Sequence, residues 1–322
     1  MKNIVPHLWF DKEAKEATAF YVSLFSSEGG QAGLSKINSV RTITRTPSGD
    51  CDIVSFNLAG EEFMAISLPA ATSTAQAGAG PIFKFNPAIS MFVVFDNEQE
   101  IEAMWNKLIE GPPAVTGTAR ASGKALMEYQ EYPWAKRYGW LQDKYGLSWQ
   151  LSWSENHQMA QKITPLLMFT QDKSGKAKEA MELYISLFPN SKVDMIMPYE
   201  KGEGDTEGFI KHARFTLNGQ HFMAMDSSGP HEFVFNEAVS LIVNCETQEE
   251  IDHYWSKLSA VPESEQCGWL KDKFGVSWQV VPTAMNKMMA TSDKAALDRV
   301  TQAFLKMKKF DIAELEKAYE GK

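Results

Sequence analysis

Ile4–Phe10 is a short, almost wholly apolar run, and apolar positions then recur at helical spacing in Ala17, Phe20, Tyr21 and Leu24. The chain is therefore expected to open with a short strand followed by a helix. Strands are predicted over Lys36–Arg45, Cys51–Leu58 and Glu62–Leu68, separated by turn signals at Pro47-Ser48-Gly49-Asp50 and Ala59-Gly60. Strand, helix and strands then come again: Ala88–Phe95, Glu98–Ile109, Ala125–Gln130, Gly139–Asp143 and Leu147–Trp153. One helix for every three or four strands predicts the α+β class, with curved sheets covered by helices on one face. Ala70–Gly80, rich in Ala, Ser, Thr and Gly, reads as a mobile loop.

The same order returns later in the chain. Ile4, Pro6 and Phe10 match Ile163, Pro165 and Phe169, and Phe20-Tyr21-Val22-Ser23-Leu24-Phe25 matches Leu183-Tyr184-Ile185-Ser186-Leu187-Phe188. Phe83, Phe85, Asn86, Ala88 and Ser90 match Phe233, Phe235, Asn236, Ala238 and Ser240. The closing runs, Gly139 to Gln150 and Gly268 to Gln279, are nearly identical. So many matches in one order indicate a tandem duplication. Residues 1–155 and 161–282 are expected to be two copies of one fold, and 283–322 a helical extension with apolar stripes at Ala303, Phe304, Met307 and Phe310 and at Ile312, Leu315 and Ala318.

A formal net charge of −9 argues against a nucleic-acid partner, which needs a basic face. Cys51, Cys245 and Cys267 follow no metal-ligand or redox spacing. Residues Met1 to His7 lack the apolar core of a signal peptide, and no run of about eighteen apolar residues occurs, so a cytoplasmic protein with no membrane partner is expected.

Paired βαβββ units that open with P-x-L-x-F and F-Y-x-S-L-F and close with W-L-x-D-K-[YF]-G-[LV]-S-W-Q resemble the PhnB-like branch of the vicinal oxygen chelate superfamily. That superfamily also holds glyoxalases, extradiol dioxygenases and bleomycin-resistance proteins. Members of this branch often carry the label 3-demethylubiquinone-9 3-methyltransferase. The resemblance covers essentially the whole chain, including the tail Met307 to Glu316. It implies tandem glyoxalase-like domains, each from two βαβββ units forming a cup-shaped mixed sheet. It also implies halves that pair within one chain in place of the dimer that single-copy relatives form; a homodimer of the whole chain stays open.

Related metalloenzymes hold a divalent ion in the cup through His and Glu side chains. Carried over position by position, those ligands fall near Val5 and Thr164, on Ser90 and Ser240, on Gln150 and Gln279, and near Val54 and Ala213. None is a usual ligand, and a neutral carboxamide in place of Glu loses most of the attraction for a cation. No metal and no cofactor is expected.

Strand alternation puts His7 on one face with Val5 and Trp9, and the polar row Ser148, Gln150, Ser152 opposite the row Trp149, Leu151, Trp153. The expected ligand-binding positions are His7, Trp9, Ser90, Ser148, Gln150, Thr164, Met168, Ser240, Ser277 and Gln279. A fold-specifying hydrogen bond is the competing role for Gln150 and Gln279, and packing for His7. His212 is expected to be a satisfied strand histidine, and His157, His221, His231 and His253 surface residues. Trp134, Arg137 and Tyr138 form either a lid with an anion-binding guanidinium or plain surface loop. Trp105, Trp140, Trp149, Trp255, Trp269 and Trp278 are expected mostly in the core. Gly202 to Gly208 has the wrong glycine spacing for a nucleotide-binding turn and reads as a hairpin loop.

Two functions follow. One is a metal-free protein that holds a small, partly apolar molecule in the cup. The other is an enzyme of the same fold, glyoxalase-like, dioxygenase-like or the labelled methyltransferase, with His7 as the best catalytic candidate because it alone offers a titratable group near neutral pH on that face.

Overall fold

The computed structural model describes residues 4–26, 33–46, 49–67, 83–112, 122–155 and 161–322. The Pro47-Ser48 turn, the Ala70–Gly80 stretch and His157 lie outside them. The first repeat runs β1 (Val5–Trp9), α1 (Ala14–Ser26), β2 (Lys36–Thr46), β3 (Gly49–Leu58), β4 (Glu61–Ser67), β5 (Ile89–Phe95), α2 (Glu98–Glu110), β6 (Lys124–Tyr132), β7 (Ala135–Gln142) and β8 (Ser148–Trp153). The second runs β9 (Ile163–Phe169), α3 (Ala177–Leu187), β10 (Lys192–Pro198), β11 (Ile210–Leu217), β12 (Gln220–Asp226), β13 (Val239–Cys245), α4 (Gln248–Leu258), β14 (Trp269–Lys271) and β15 (Ser277–Pro282). Helices α5 (Ala284–Met288), α6 (Lys294–Phe304) and α7 (Ile312–Glu320) close the chain.

These strands form two mixed sheets, one of seven strands in the order β14-β15-β13-β1-β4-β3-β2 and one of eight in the order β10-β11-β12-β9-β5-β8-β7-β6. Each sheet joins one unit from each repeat; three of the four units are βαβββ, and the last, β13-α4-β14-β15, has one strand fewer. The seams are antiparallel: His7 on β1 lies opposite Ser240 on β13, and Leu166 on β9 opposite Ser90 on β5. The copies at 1–155 and 161–282 are thus units of sequence, while both sheets cross the boundary between them. The loops before β5 and β13 clasp each other across the same seam, Asn86 Nδ2 donating to Val234 O (2.9 Å) and Asn236 Nδ2 to Lys84 O (2.8 Å).

Helices cover one face of each sheet. α2 begins at Asn97, whose side chain accepts from the Glu100 N–H, and buries the stripe Ile101, Met104 and Leu108. Thr247 caps α4 in the same way. Under the helices, Tyr21 Oη (2.6 Å) and Trp149 Nε1 (2.9 Å) donate to Asp143 Oδ2, while Asp143 Oδ1 accepts from the Tyr145 (2.8 Å) and Leu147 (3.1 Å) N–H groups. Tyr184, Asp272 and Trp278 repeat the arrangement in the second copy. Tyr21 sits on the helix over the seven-stranded sheet and Asp143 follows a strand of the eight-stranded one, so each knot ties the two sheets together. The shared closing motif of the repeats is the trace of these knots.

The second copy departs from the first before its last strand. It has only the three-residue β14 where the first has the long β6–β7 hairpin. The tail fills the gap: the Cys267 N–H donates to Met307 O (2.8 Å), the Gly268 N–H to Lys308 O (2.7 Å), and Phe310 packs on Gly268. Gly268 has φ +84°, and a Cβ there would meet Phe310 Cε2 at 2.4 Å and Val280 O at 3.0 Å. Gly268→Ala is expected to cost about 2–4 kcal/mol, from the unfavourable φ and the collision together. It should also loosen the tail, read as lower urea resistance and faster tryptic cleavage at Lys308 and Lys309.

Candidate functional site

The face of each sheet away from the helices carries alternate residues of every strand. On the eight-stranded sheet the register aligns Arg214 with Met223, Met223 with Leu166, Leu166 with Ser90, and Ser90 with Ser148. One step along, Thr164 and Gln150 flank Phe92 on either side. Leu166, Met168 and Met223 form a separate apolar cluster there, with Phe92, Trp140, Met225 and Phe233 packed against it.

Some polar groups on this face are satisfied. Ser90 and Ser148 share a hydrogen bond (2.9 Å), and Trp140 Nε1 donates to Ser148 Oγ (2.8 Å). The Tyr138 hydroxyl, pushed well up by burial and by the nearby Tyr132, donates to Gln150 Oε1 (2.8 Å). Others are not. Gln150 Nε2, Thr164 Oγ1 and Arg214 Nε are buried without any hydrogen-bond partner. Leaving such an atom unmade costs about 1–3 kcal/mol. His212 looks into the same face, 6.4 Å from the Phe92 ring; burial and then the Arg214 charge lower its pKa to about 4.

The seven-stranded face has different contents. His7 lies edge-on to Trp269 (5.4 Å), Trp9 contacts both Trp269 (5.3 Å) and Phe83 (5.4 Å), and burial lowers the His7 pKa to about 3. Ser240 Oγ accepts from Gln279 Nε2 (3.0 Å) and touches His7 Nδ1 (3.4 Å), while Ser277 Oγ is buried without a partner among the described residues.

The ten expected positions therefore do share concave faces, but they divide: Ser90, Ser148, Gln150, Thr164 and Met168 line one sheet, and His7, Trp9, Ser240, Ser277 and Gln279 the other. Several readings need correction. Val54 and Ala213 belong to the helix-covered core; the concave residues of those strands are Ile53 and Ser55, and His212 and Arg214. His212 is a concave-face residue in ring contact with Phe92, with no hydrogen bond to its imidazole among the described residues. Trp140 and Trp269 line the concavities, whereas Trp149 and Trp278 are fully buried core. Trp134 is 59% exposed and stacks on Tyr132, while Arg137 is held by Glu98 (2.6 Å), so that guanidinium is not waiting for an anion. His231 is half-buried against Ser227 and Phe233, His221 contacts Thr216, and His253 is exposed. Gly202 to Gly208 is the hairpin between β10 and β11, closed by the Gly208 N–H on Tyr199 O (2.9 Å).

Arg214 escaped the sequence reading because counting back to the glycine turn landed one residue away, and one residue in a strand is the opposite face. The metal-ligand positions hold Thr, Ser, Gln and Val, and among the described residues no three His, Cys, Asp or Glu side chains are grouped to hold an ion. This donor set does not fit the superfamily's metal.

A family model described as 3-demethylubiquinone-9 3-methyltransferase matches residues 2–152 and 161–281. Among solved structures, the PhnB protein from Bacillus cereus is 31% identical over 48% of this chain and 100% of its own, with a TM-score of 0.36. Protein PA1353 from Pseudomonas aeruginosa is 19% identical over 48% of this chain and 98% of its own, TM-score 0.35. Glyoxalase I from Zea mays is 10% identical over 89% of this chain and 95% of its own; at a TM-score of 0.51 it shows a shared fold. No curated relative matches.

Proposed function

The chain belongs to the 3-demethylubiquinone-9 3-methyltransferase family, the PhnB-like branch of the vicinal oxygen chelate superfamily, and from that premise we propose that it binds a small, partly apolar molecule against a concave sheet face, in the cytoplasm and without a metal ion. The observation that carries this reading is the set of buried polar atoms left unpartnered there, beside methionine and aromatic side chains. Folded proteins satisfy nearly all such atoms. A bound ligand satisfies these, and the apolar lining holds its body.

The enzymatic alternative leans on His7. A general base works best with a pKa near the working pH, and burial without a charged partner leaves this imidazole neutral and weakly basic. Methyl transfer from a nucleotide donor gains no support from the glycines at 202–208, which close a hairpin between antiparallel strands. Among the described residues, His7 contacts Ser240 and Trp269 and is paired with no second titratable group.

Metal analysis and ligand retention test the proposal. After dialysis against a chelator, small molecules released by denaturing the purified protein should be found by mass spectrometry, and added Zn, Ni or Mn should leave the thermal midpoint unchanged. Stoichiometric metal that survives dialysis and disappears in His7→Ala would overturn the metal-free reading.

A further inference from the structure

Resting on the binding proposal above, we infer that the eight-stranded concavity is the one ligand site of the chain and that its ligand is an anion, a carboxylate on an apolar body, held by Arg214. Arg214 projects from β11 between Met195 and Met223. Its Nε is buried and unpartnered, and its Nη2 reaches only the Met195 sulfur (3.9 Å). No carboxylate pairs with it among the described residues. Asp194, on the neighbouring strand, is already engaged by the Thr216 hydroxyl (2.6 Å) and Lys192 (3.1 Å). A guanidinium stays charged at every accessible pH, and a partly buried one without a counter-ion is costly. An incoming carboxylate is the group whose geometry answers it, accepting from the guanidinium fork.

The rest of the face fits the same ligand. Gln150 has its carbonyl oxygen occupied by Tyr138, so its amide presents N–H donors only, and Thr164 presents a free hydroxyl. Those donors face acceptors on the ligand, while Leu166, Met168, Met223 and Phe92 pack its apolar part. No acidic side chain lies at the aligned positions Arg214, Met223, Leu166, Ser90 and Ser148, or beside them at Thr164, Phe92 and Gln150.

The seven-stranded face, tested position by position, lacks each element. Ser55 stands where Arg214 does, Val5 where Thr164 does, and the Gln279 amide nitrogen, unlike that of Gln150, already donates within the protein, to Ser240. His7 and Trp9, in place of Leu166 and Met168, fill the space against Trp269. The duplication has kept two folds and one site.

The test uses the full chain, with octanoate as the anionic probe and 1-octanol as its neutral counterpart, followed by calorimetry and by NMR of methionine methyl groups. Octanoate should bind once per chain, shift the Met168 and Met223 methyls, leave Met64 of the other sheet in place, and bind at least tenfold tighter than octanol. Arg214→Met should abolish that preference and, by removing a charge that lacks a partner, raise the ligand-free thermal midpoint. Arg214→Ser, the residue natural to the other sheet, gives the same affinity result by a second route. Equal binding of octanol and octanoate with both shifting Met168 would remove the anion and leave the binding proposal standing. Octanoate binding within twofold of the parent in Arg214→Met would do the same. If neither probe moves any methionine methyl of the eight-stranded face, both readings fall.

Discussion

Replacing Asp143 or Asp272 with alanine is expected to destabilise the protein by about 3–5 kcal/mol, the range for removing one partner from a buried charged network. Each carboxylate gathers four donors. Tyr21 and Trp149 meet on one oxygen of Asp143, and two backbone N–H groups of the following turn on the other. Alanine leaves all of them in a dry interior, because Tyr21 and Trp149 are fully buried. Asparagine does not rescue the site, since turning its amide nitrogen toward either pair of donors sets donor against donor. Tyr21→Phe removes a single donor and should cost about 1–2 kcal/mol. Combined with Asp143→Ala it should add much less than that, because the hydroxyl has by then lost its acceptor. Urea unfolding of the single and double variants measures these differences. A loss under 1 kcal/mol for Asp143→Ala would show that the knot is not what couples the sheets.

How far the fold could be read from the residues depends on the range of each interaction. Periodicity is local, so the order of strands and helices was visible, as was the concave placement of His7, Ser148 and Gln150 from period-two alternation. The motif W-L-x-D-K-[YF]-G-x-S-W-Q was visible as a repeat and explained only by the structure, as acceptor and donor of one buried knot. Strand partnership is not local. β1 presents the same alternation whether it lies beside β5 or β13, and nothing in Val5–Trp9 says which, so the exchange of units between repeats could not be seen. The tail likewise read as a helix with an apolar stripe, while its use of Met307 and Lys308 carbonyls in place of a strand is a tertiary fact. The candidate site was half legible. Neutral residues at the ligand positions could be counted off, but Arg214 and His212 required the register of β11 against β12, and a slip of one residue turned them toward the wrong face.

His7→Leu is expected to make the protein more resistant to acid, with little change at pH 7. Leucine is what the other sheet carries at the equivalent position, Leu166, which is buried and well packed. At pH 7 the imidazole is neutral, and the substitution gives up only a long contact to Ser240 and an edge-on contact to Trp269. On acidification the sign is fixed by linkage. Burial holds the folded pKa of His7 near 3, below the ordinary value of 6.5, so the unfolded chain takes up its proton first and stability falls as pH drops from about 6.5 towards 3. Between pH 7 and pH 4 this one residue should remove on the order of 3 kcal/mol. His212, with its folded pKa near 4, adds a loss of the same sign. Asp143 works in the opposite direction: burial raises its pKa to about 6, so the folded protein binds that proton first and gains stability as pH falls through that range. Comparing His7→Leu with the parent at each pH cancels these shared contributions. The difference in unfolding free energy should be small at pH 7, grow steadily below pH 6.5 and keep growing to pH 4. A difference that stays flat with pH would mean that His7 meets a proton in the folded protein as easily as in water, and that its face of the sheet is open to solvent.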